Sequence, residues 1–207
     1  MKKIILTAFA VFLCGFVKAQ EIKYGIKGGL NVANLSENFY ASNSPKTGFH
    51  IGGFAQIRLS EKFVFQPEVL FSTQGTKVDN ASIYDGQNRY FGSVIQNLNY
   101  INVPLMFKYY AIEKFSIEAG PQIGFLTSET TKIEVHGVNE TKIDANNSYK
   151  NFDFGLNLGV GYDITKNITV GTRYNLGLSN IGKTVVEGYG PPKAHNRVFS
   201  LSVGYKF

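Results

Sequence analysis

The sequence predicts an all-β protein, an eight-stranded antiparallel transmembrane β-barrel with up-and-down meander order after a cleaved signal peptide. Most segments between turn signals alternate apolar and polar residues, as a strand with one apolar face does. Most of them run about 11 to 13 residues, longer than strands of soluble sheets and long enough to cross a bilayer while tilted. The connections alternate between short and long, which is typical of outer-membrane barrels.

Residues 1–19 have the features of a cleaved signal peptide. A basic start precedes an apolar run over residues 4–17, and Val17 to Ala19 form a small-residue cleavage site. A membrane-anchoring helix needs roughly 20 apolar residues, more than this run supplies. A lipoprotein signal at Cys14 is disfavoured because Leu13 is not the small residue that such a site requires. We therefore expect a mature domain of residues 20–207 that contains no cysteine.

The basic charge of the chain owes much to the predicted signal peptide. Removal of Lys2, Lys3 and Lys18 lowers the formal net charge from +6 to +3. No nucleic-acid partner is implied by this charge.

The eight predicted strands keep a constant apolar face. In the last strand, Phe199, Leu201, Val203, Tyr205 and Phe207 share one face, with small or polar residues between them. The predicted strands cover residues 24–32, 47–59, 63–75, 98–110, 115–127, 151–163, 168–180 and 197–207. The short connections cover residues 60–62, 111–114 and 164–167, and the long ones cover 33–46, 76–97, 128–150 and 181–196. Short periplasmic turns with eight strands place both termini in the periplasm of a Gram-negative bacterium.

The opposite face separates a membrane barrel from a soluble periplasmic β-protein. It is rich in glycine, which makes room for long side chains inside a narrow barrel. Its charges have both signs and must pair to offset desolvation. The predicted lumen ion network comprises Lys27, Arg58, Glu68, Lys108, Glu118, Asp153, Arg173 and Lys206.

The chain resembles the PorT-like outer-membrane β-barrel proteins of the Bacteroidota over residues 20–207. The resemblance rests on the segments Tyr24-Gly25-Ile26-Lys27-Gly28-Gly29-Leu30-Asn31, Tyr100-Ile101-Asn102-Val103-Pro104-Leu105, Gly120-Pro121-Gln122-Ile123-Gly124-Phe125, Asp153-Phe154-Gly155-Leu156, Arg173-Tyr174-Asn175-Leu176-Gly177-Leu178 and Val203-Gly204-Tyr205-Lys206-Phe207. It implies a barrel inserted by the outer-membrane assembly machinery, whose substrates commonly end in an aromatic residue. Val203, Tyr205 and Phe207 are then the assembly signal. Some family members take part in type IX secretion, but no motif here singles out that role.

Two prolines lie inside predicted strands. Proline lacks the N–H that a closed ladder uses, so Pro104 and Pro121 predict bulges in two adjacent strands, with a functional kink as the alternative.

No catalytic, cofactor-binding or metal site emerges from the sequence. Glu68 and Glu118 could form an acid and base pair, but nearby cations favour a structural ion network. His50, His136 and His195 lack metal-site spacing, and no nucleophile with its base is identifiable.

The long loops are the remaining place for binding residues. The candidates are Tyr84, Arg89, Tyr90 and Phe91, which could bind sugar, protein or lipopolysaccharide. The alternative is that they are girdle residues and solvated loop tips.

Three functions are compared. The favoured one is a non-enzymatic structural or interaction scaffold that assists secretion or surface assembly. The second is a narrow passive channel with weak anion preference, because the predicted inward charges sum to +2. A membrane-embedded enzyme is third, since no polar cluster marks the outer rim. The expected partners are outer-membrane lipid and lipopolysaccharide, the assembly machinery, and a secretion or surface complex, with no nucleic acid.

Overall fold

The computed structural model describes residues 22–37, 43–84, 89–135, 141–143, 148–183 and 193–207. The predicted signal peptide, residues 1–19, lies outside these residues. Nine strands are present in them: β1 (Ile22–Glu37), β2 (Asn43–Arg58), β3 (Phe63–Tyr84), β4 (Arg89–Ile112), β5 (Phe115–Val135), β6 (Thr141–Ile143), β7 (Phe152–Asp163), β8 (Ile168–Gly177) and β9 (Ala194–Lys206). In this part of the chain, no helix has the length and apolarity needed to cross a membrane.

Eight long strands close into a barrel. Each pairs antiparallel with its neighbour in the chain, except that β7 pairs with β5 and the short β6 adds to the edge of β5. β1 closes the ring against β9, from Gly25 opposite Lys206 to Glu37 opposite Ala194. The predicted eight-stranded meander is therefore confirmed.

The barrel has an apolar exterior and a polar interior. On β1, Leu30 is 66% exposed, whereas the adjacent Asn31 is 1% exposed. The same alternation runs through β7 and β9. An exposed band of Leu, Ile, Val, Phe and Tyr around a closed barrel is stable against lipid rather than water. The fold is thus of the transmembrane type.

The two ends of the barrel differ. The terminal end carries the start of β1, the end of β9 and the three tight turns at residues 59–62, 113–114 and 164–167. The loop end carries the longer connections. These tight turns lie where the sequence predicts them.

Several strands extend into segments that the sequence predicts as loops. β3, β4 and β5 have 22, 24 and 21 residues, about twice the nine to eleven that cross a bilayer. Their ends, with β6, form a projecting sheet of residues 76–84, 89–99, 128–135 and 141–143 beyond the apolar band. The pattern missed it because its outward positions mix polar residues, such as Asn97 and Thr130, with the exposed Phe91, so no continuous apolar face repeats. β8 is shorter than predicted and ends at Gly177.

The predicted bulges at the two prolines are wrong. Pro104 pairs with Gln122, and the ladder resumes at Phe107 opposite Ala119 in the same register. Register shifts between β4 and β5 occur instead between Asn99 and Tyr100 and between Tyr110 and Ile112. The barrel therefore accommodates the missing N–H groups by a local gap in the ladder without inserting a residue.

Candidate functional site

The middle of the lumen contains a cluster of five charged side chains, which we call the charged belt. They come from β1, β3, β4, β5 and β8, and each occupies an inward position of its strand. The belt consists of Lys27, Glu68, Lys108, Glu118 and Arg173.

Arg173 is the centre of the belt. Its Nη1 and Nη2 donate to the two carboxylate oxygens of Glu68 at 3.0 and 2.9 Å. Its Nε and Nη2 donate to Oε1 of Glu118 at 3.1 and 3.0 Å. Such a planar, bidentate arrangement suits guanidinium better than ammonium. One side chain therefore ties β8 to β3 and β5 across the lumen.

Two lysines complete the belt. Nζ of Lys27 lies 3.4 Å from Oε1 of Glu68, and Nζ of Lys108 lies 3.3 Å from Oε2 of Glu118. Gln66 links them, since it donates to Glu68 at 2.7 Å and accepts from Lys108 at 3.3 Å. Three cations thus share two carboxylates, and each buried charge has an opposite partner.

Glycines of β7 provide space for the belt. A Cβ added at Gly159 would come within 3.1 Å of Oε1 of Glu118, and one at Gly161 within 2.9 Å of Oγ of Ser116. The Cβ added at Gly159 would also lie 2.5 Å from the backbone oxygen of Thr172. The predicted role of inward glycines beside long charged side chains agrees with this geometry.

Three residues of the predicted ion network do not join the belt, because they lie at other depths. Arg58 is four residues nearer the terminal end of β2 than Phe54, which pairs with Glu68. Lys206 also lies towards that end, where its Nζ is 2.9 Å from Oδ2 of Asp163. Asp153 lies near the loop end and accepts from Ser179 Oγ at 2.6 Å and Asn196 Nδ2 at 2.7 Å.

A layer of amides and hydroxyls lies between the belt and the loop end. Asn175 donates to Asn157 at 3.1 Å, and Asn157 donates to Gln122 at 3.1 Å. Sequence reasoning assigned these amides to the polar face but did not single them out. Their inward positions in the alternating pattern were the available signal.

His50 belongs to this layer. Its Nδ1 is 2.8 Å from Oδ1 of Asn31, and its Nε2 is 3.0 Å from Oγ of Ser202. The amide oxygen accepts only, so Nδ1 carries the proton and Nε2 accepts from the hydroxyl. His50 is therefore a buried hydrogen-bonding residue of the lumen, while His136 lies outside the described residues.

An apolar plug fills the loop end of the lumen. Two connecting segments, one before β7 and one after β8, pair with each other, with Tyr149 opposite Gly182. The Tyr149 hydroxyl donates to Oε1 of Gln96. The plug comprises Leu35, Leu98, Tyr100, Tyr149, Ile181 and Ala194, with Leu126 packed against them. Sequence reasoning missed it, because four of its residues are isolated apolar residues in predicted loops and carry no periodic signal: Leu35, Tyr149, Ile181 and Ala194.

The filled lumen leaves only small spaces beside Arg173. Two cavities of about 20 and 30 Å³ touch this residue, enough for about one or two water molecules each. Within the described residues, the lumen is occluded at the belt and at the plug.

The predicted assembly residues lie on the exterior of β9 and at its end. Val203 pairs with Gly28, and Tyr205 pairs with Ile26. The backbone N–H of Phe207 donates to the oxygen of Tyr24 at 2.9 Å, and its ring contacts that of Tyr205. All three side chains are exposed on the apolar face. They therefore lie at the seam that closes the barrel.

The predicted loop-binding residues do not form one cluster. Arg89 donates to Oγ of Ser82 at 2.8 Å and lies 5.4 Å from the ring centroid of Phe91. Tyr90 points to the opposite face of β4, because neighbouring residues of a strand alternate. Tyr84 ends β3 and pairs with Arg89, and its side chain lies outside the described part of the chain.

The two facing carboxylates are committed to Arg173 and lie away from bulk solvent. Glu68 and Glu118 are 1% and 4% exposed. Among the residues described, no group of three His, Cys, Asp or Glu side chains could hold a metal ion.

The chain is similar to known outer-membrane proteins. A family described as an outer membrane protein beta-barrel domain matches residues 18–182. No curated protein matches the chain.

Solved structures of small outer-membrane barrels also align with it. Neisserial surface protein A is 16% identical with a TM-score of 0.51, covering 89% of this chain and 97% of that one. Ail, the attachment invasion locus protein of Yersinia pestis, is 13% identical with a TM-score of 0.48, covering 90% and 99%. OprG of Pseudomonas aeruginosa is 13% identical with a TM-score of 0.43, covering 91% and 97%. The likeness to the neisserial protein supports the fold alone.

Proposed function

Because the chain belongs to the outer membrane protein beta-barrel domain family, we propose that it is a non-enzymatic interaction scaffold of the Gram-negative outer membrane. In this proposal, the barrel holds the projecting sheet and the terminal end in fixed positions for partners. It assists secretion or surface assembly through those surfaces. Outer-membrane lipid and lipopolysaccharide surround it, and the assembly machinery inserts it.

The occluded lumen is the observation that carries the proposal. A passive channel needs a continuous water path, whereas the described lumen has cavities of about 20 and 30 Å³ beside Arg173. A membrane-embedded enzyme needs reacting groups that a substrate can reach. The two interior carboxylates are instead buried in hydrogen-bonded ion pairs with Arg173.

The proposed orientation places both termini in the periplasm. The three tight turns, the start of β1 and the end of β9 share one end, and the projecting sheet extends from the other. Short turns at the periplasmic side are the rule for outer-membrane barrels. The projecting sheet would then face the cell exterior.

We further propose membership of the PorT-like group of the Bacteroidota. The motifs of β1, β4, β5 and β9 support it, among them residues 24–31 and the ending Val203 to Phe207. Mass-spectrometric identification of proteins that co-purify after crosslinking in cells would test the role in a secretion or surface complex. Recovery of the barrel without specific partners would count against it.

Conductance in planar bilayers separates the scaffold from the channel. We expect no steady conductance from the purified, folded protein, because the belt and the plug both block the lumen. Stable channels with an anion preference would overturn the scaffold proposal in favour of a passive channel.

A further inference from the structure

The terminal end of the barrel opens into a cavity of about 680 Å³, which we call the basic cup. Its volume is within the range of ligand-binding clefts, roughly 300 to 1,000 Å³. It is separate from the two small cavities beside Arg173. The cup is therefore a recess at the terminal end of the barrel, and it shares no lining residue with the cavities beside the charged belt.

Positive charge dominates the lining of the cup. All three tight turns contribute a lysine, and the ends of β1, β2 and β9 contribute one cation each. The cations are Lys23, Arg58, Lys62, Lys114, Lys166 and Lys206. Three carboxylates also line it, those of Glu61, Glu113 and Asp163. Six cations against three carboxylates give the cup a net formal charge of +3. Asp163 pairs with Lys206.

The lysines of the turns are the accessible part of this charge. Lys62, Lys114 and Lys166 are exposed, and they come from three different turns around one opening. Converging cations around a concave surface raise the local concentration of anionic partners and steer them towards it.

The remaining lining favours a peptide over a dense polyanion. Glu61 and Glu113 interrupt the positive lining, so it suits carboxylates spaced along a peptide better than closely spaced phosphates. Tyr110, Ala111 and Ile112 add apolar surface that aliphatic side chains can contact. A segment that mixes carboxylates with apolar residues complements both features.

We propose that the basic cup binds an acidic peptide segment of a periplasmic protein. This inference rests on the proposed scaffold function and orientation, and it specifies the chemistry of one partner. The segment places carboxylates against the lysines of the turns and apolar side chains against the end of β4. It does not enter the belt, which remains filled.

Fluorescence anisotropy can test the cup with the full mature chain in nanodiscs of phosphatidylcholine. The probe is a fluorescein-labelled peptide of Glu and Leu, and its control has Gln in place of Glu. We expect the acidic peptide to bind and the neutral one not to bind, with affinity falling as salt increases. The variant Lys62→Glu, Lys114→Glu, Lys166→Glu should lose roughly tenfold or more in affinity.

A matched variant controls for net charge. Lys46→Glu, Lys132→Glu, Lys150→Glu makes the same charge change on other strands and loops, and it should keep affinity within about twofold. Both variants must first show the heat-dependent gel mobility of a folded barrel. Equal losses of peptide affinity in the two variants, or no peptide binding to the native protein, would overturn the proposal that the basic cup binds an acidic peptide. Displacement by inorganic polyphosphate but not by unlabelled acidic peptide would replace the peptide with a phosphate polyanion.

The outcome for the cup is separable from that for the scaffold. If the barrel conducts no current and binds no acidic peptide, only the proposal for the basic cup is overturned. A barrel with stable conductance overturns the scaffold, whatever the peptide does.

Discussion

Gly75 shows how strongly a single position of the wall is constrained. Its backbone φ is +133°, a region that residues with a Cβ rarely adopt. A Cβ there would also lie 1.9 Å from the backbone oxygen of Gln96 on β4. The position lies where β3 passes from the barrel wall into the projecting sheet. The sequence gives no sign of this constraint, because Gly75 is one of 22 glycines in the chain and nothing in its neighbours distinguishes it.

Gly75→Ala should destabilise the barrel by about 1–3 kcal/mol from backbone strain, with a further cost from the collision. The measurement is the temperature at which the compact gel form is lost. Gly53→Ala is the matched control, since its nearest contact would be the Gly25 oxygen at 3.6 Å. Equal melting of the two variants would contradict the argument.

Removal of both belt carboxylates tests the interior ion pairs. Glu68→Ala with Glu118→Ala leaves Lys27, Lys108 and Arg173 buried without their partners. We expect destabilisation of roughly 3 to 5 kcal/mol for each well-desolvated pair that is broken, and a leak through the widened lumen. Thermal unfolding and bilayer conductance measure these effects.

A matched double variant removes the same number of carboxylates outside the belt. Glu61→Ala with Glu113→Ala changes exposed residues of the turns and should leave stability nearly unchanged. Full thermal stability of the belt variant would mean that water already solvates the interior charges.

At the level of the strand, β9 completes the ring, and Phe207, the residue that follows it, stabilises the seam with β1. The N–H of Phe207 bonds to Tyr24, and the ring of Phe207 lies 5.5 Å from that of Tyr205. Deletion of Phe207 should reduce the amount of assembled barrel without preventing export. Quantification of the heat-modifiable form in outer membranes checks this.

The variant Phe207→Tyr retains an aromatic ring at the end of the chain. It should assemble to near-normal levels, which separates loss of the ring from a general effect of changing the terminus. Unchanged assembly after the deletion would contradict the role of Phe207.

The strands show what the sequence can predict and what it cannot. The phase of each strand and the three tight turns were predictable, because lipid on one side and a packed lumen on the other enforce a period of two. The pattern fails beyond the apolar band, where outward positions of β4 and β5 such as Asn97 and Thr130 are polar. Pro104 was misinterpreted because a closed ladder tolerates a local gap that the sequence does not reveal.

The whole molecule should behave as an integral outer-membrane protein. We expect it to fractionate with the outer membrane and to migrate differently on a gel before and after heating, because a closed barrel has no free edge from which to unfold. Recovery of the protein in the soluble periplasmic fraction would contradict the interpretation that the exposed apolar band faces lipid.

The residues that fill the lumen were predictable in part from the sequence. Inward positions identified the five belt residues, but strand position alone did not give their depth, so Arg58, Asp153 and Lys206 were grouped with them. The plug was beyond prediction, since the pairing of Tyr149 with Gly182 joins two connections that are distant in sequence.

The filling of the lumen by the belt and the plug also bears on the permeability of the cell envelope. Each open pore in an outer membrane admits antibiotics and detergents along with nutrients, which limits how many copies a cell tolerates. In the proposed scaffold, the belt and the plug fill the lumen, so the barrel would add no such route. A cell could therefore insert this protein at high density, and raising its copy number should leave the uptake of small hydrophilic dyes unchanged.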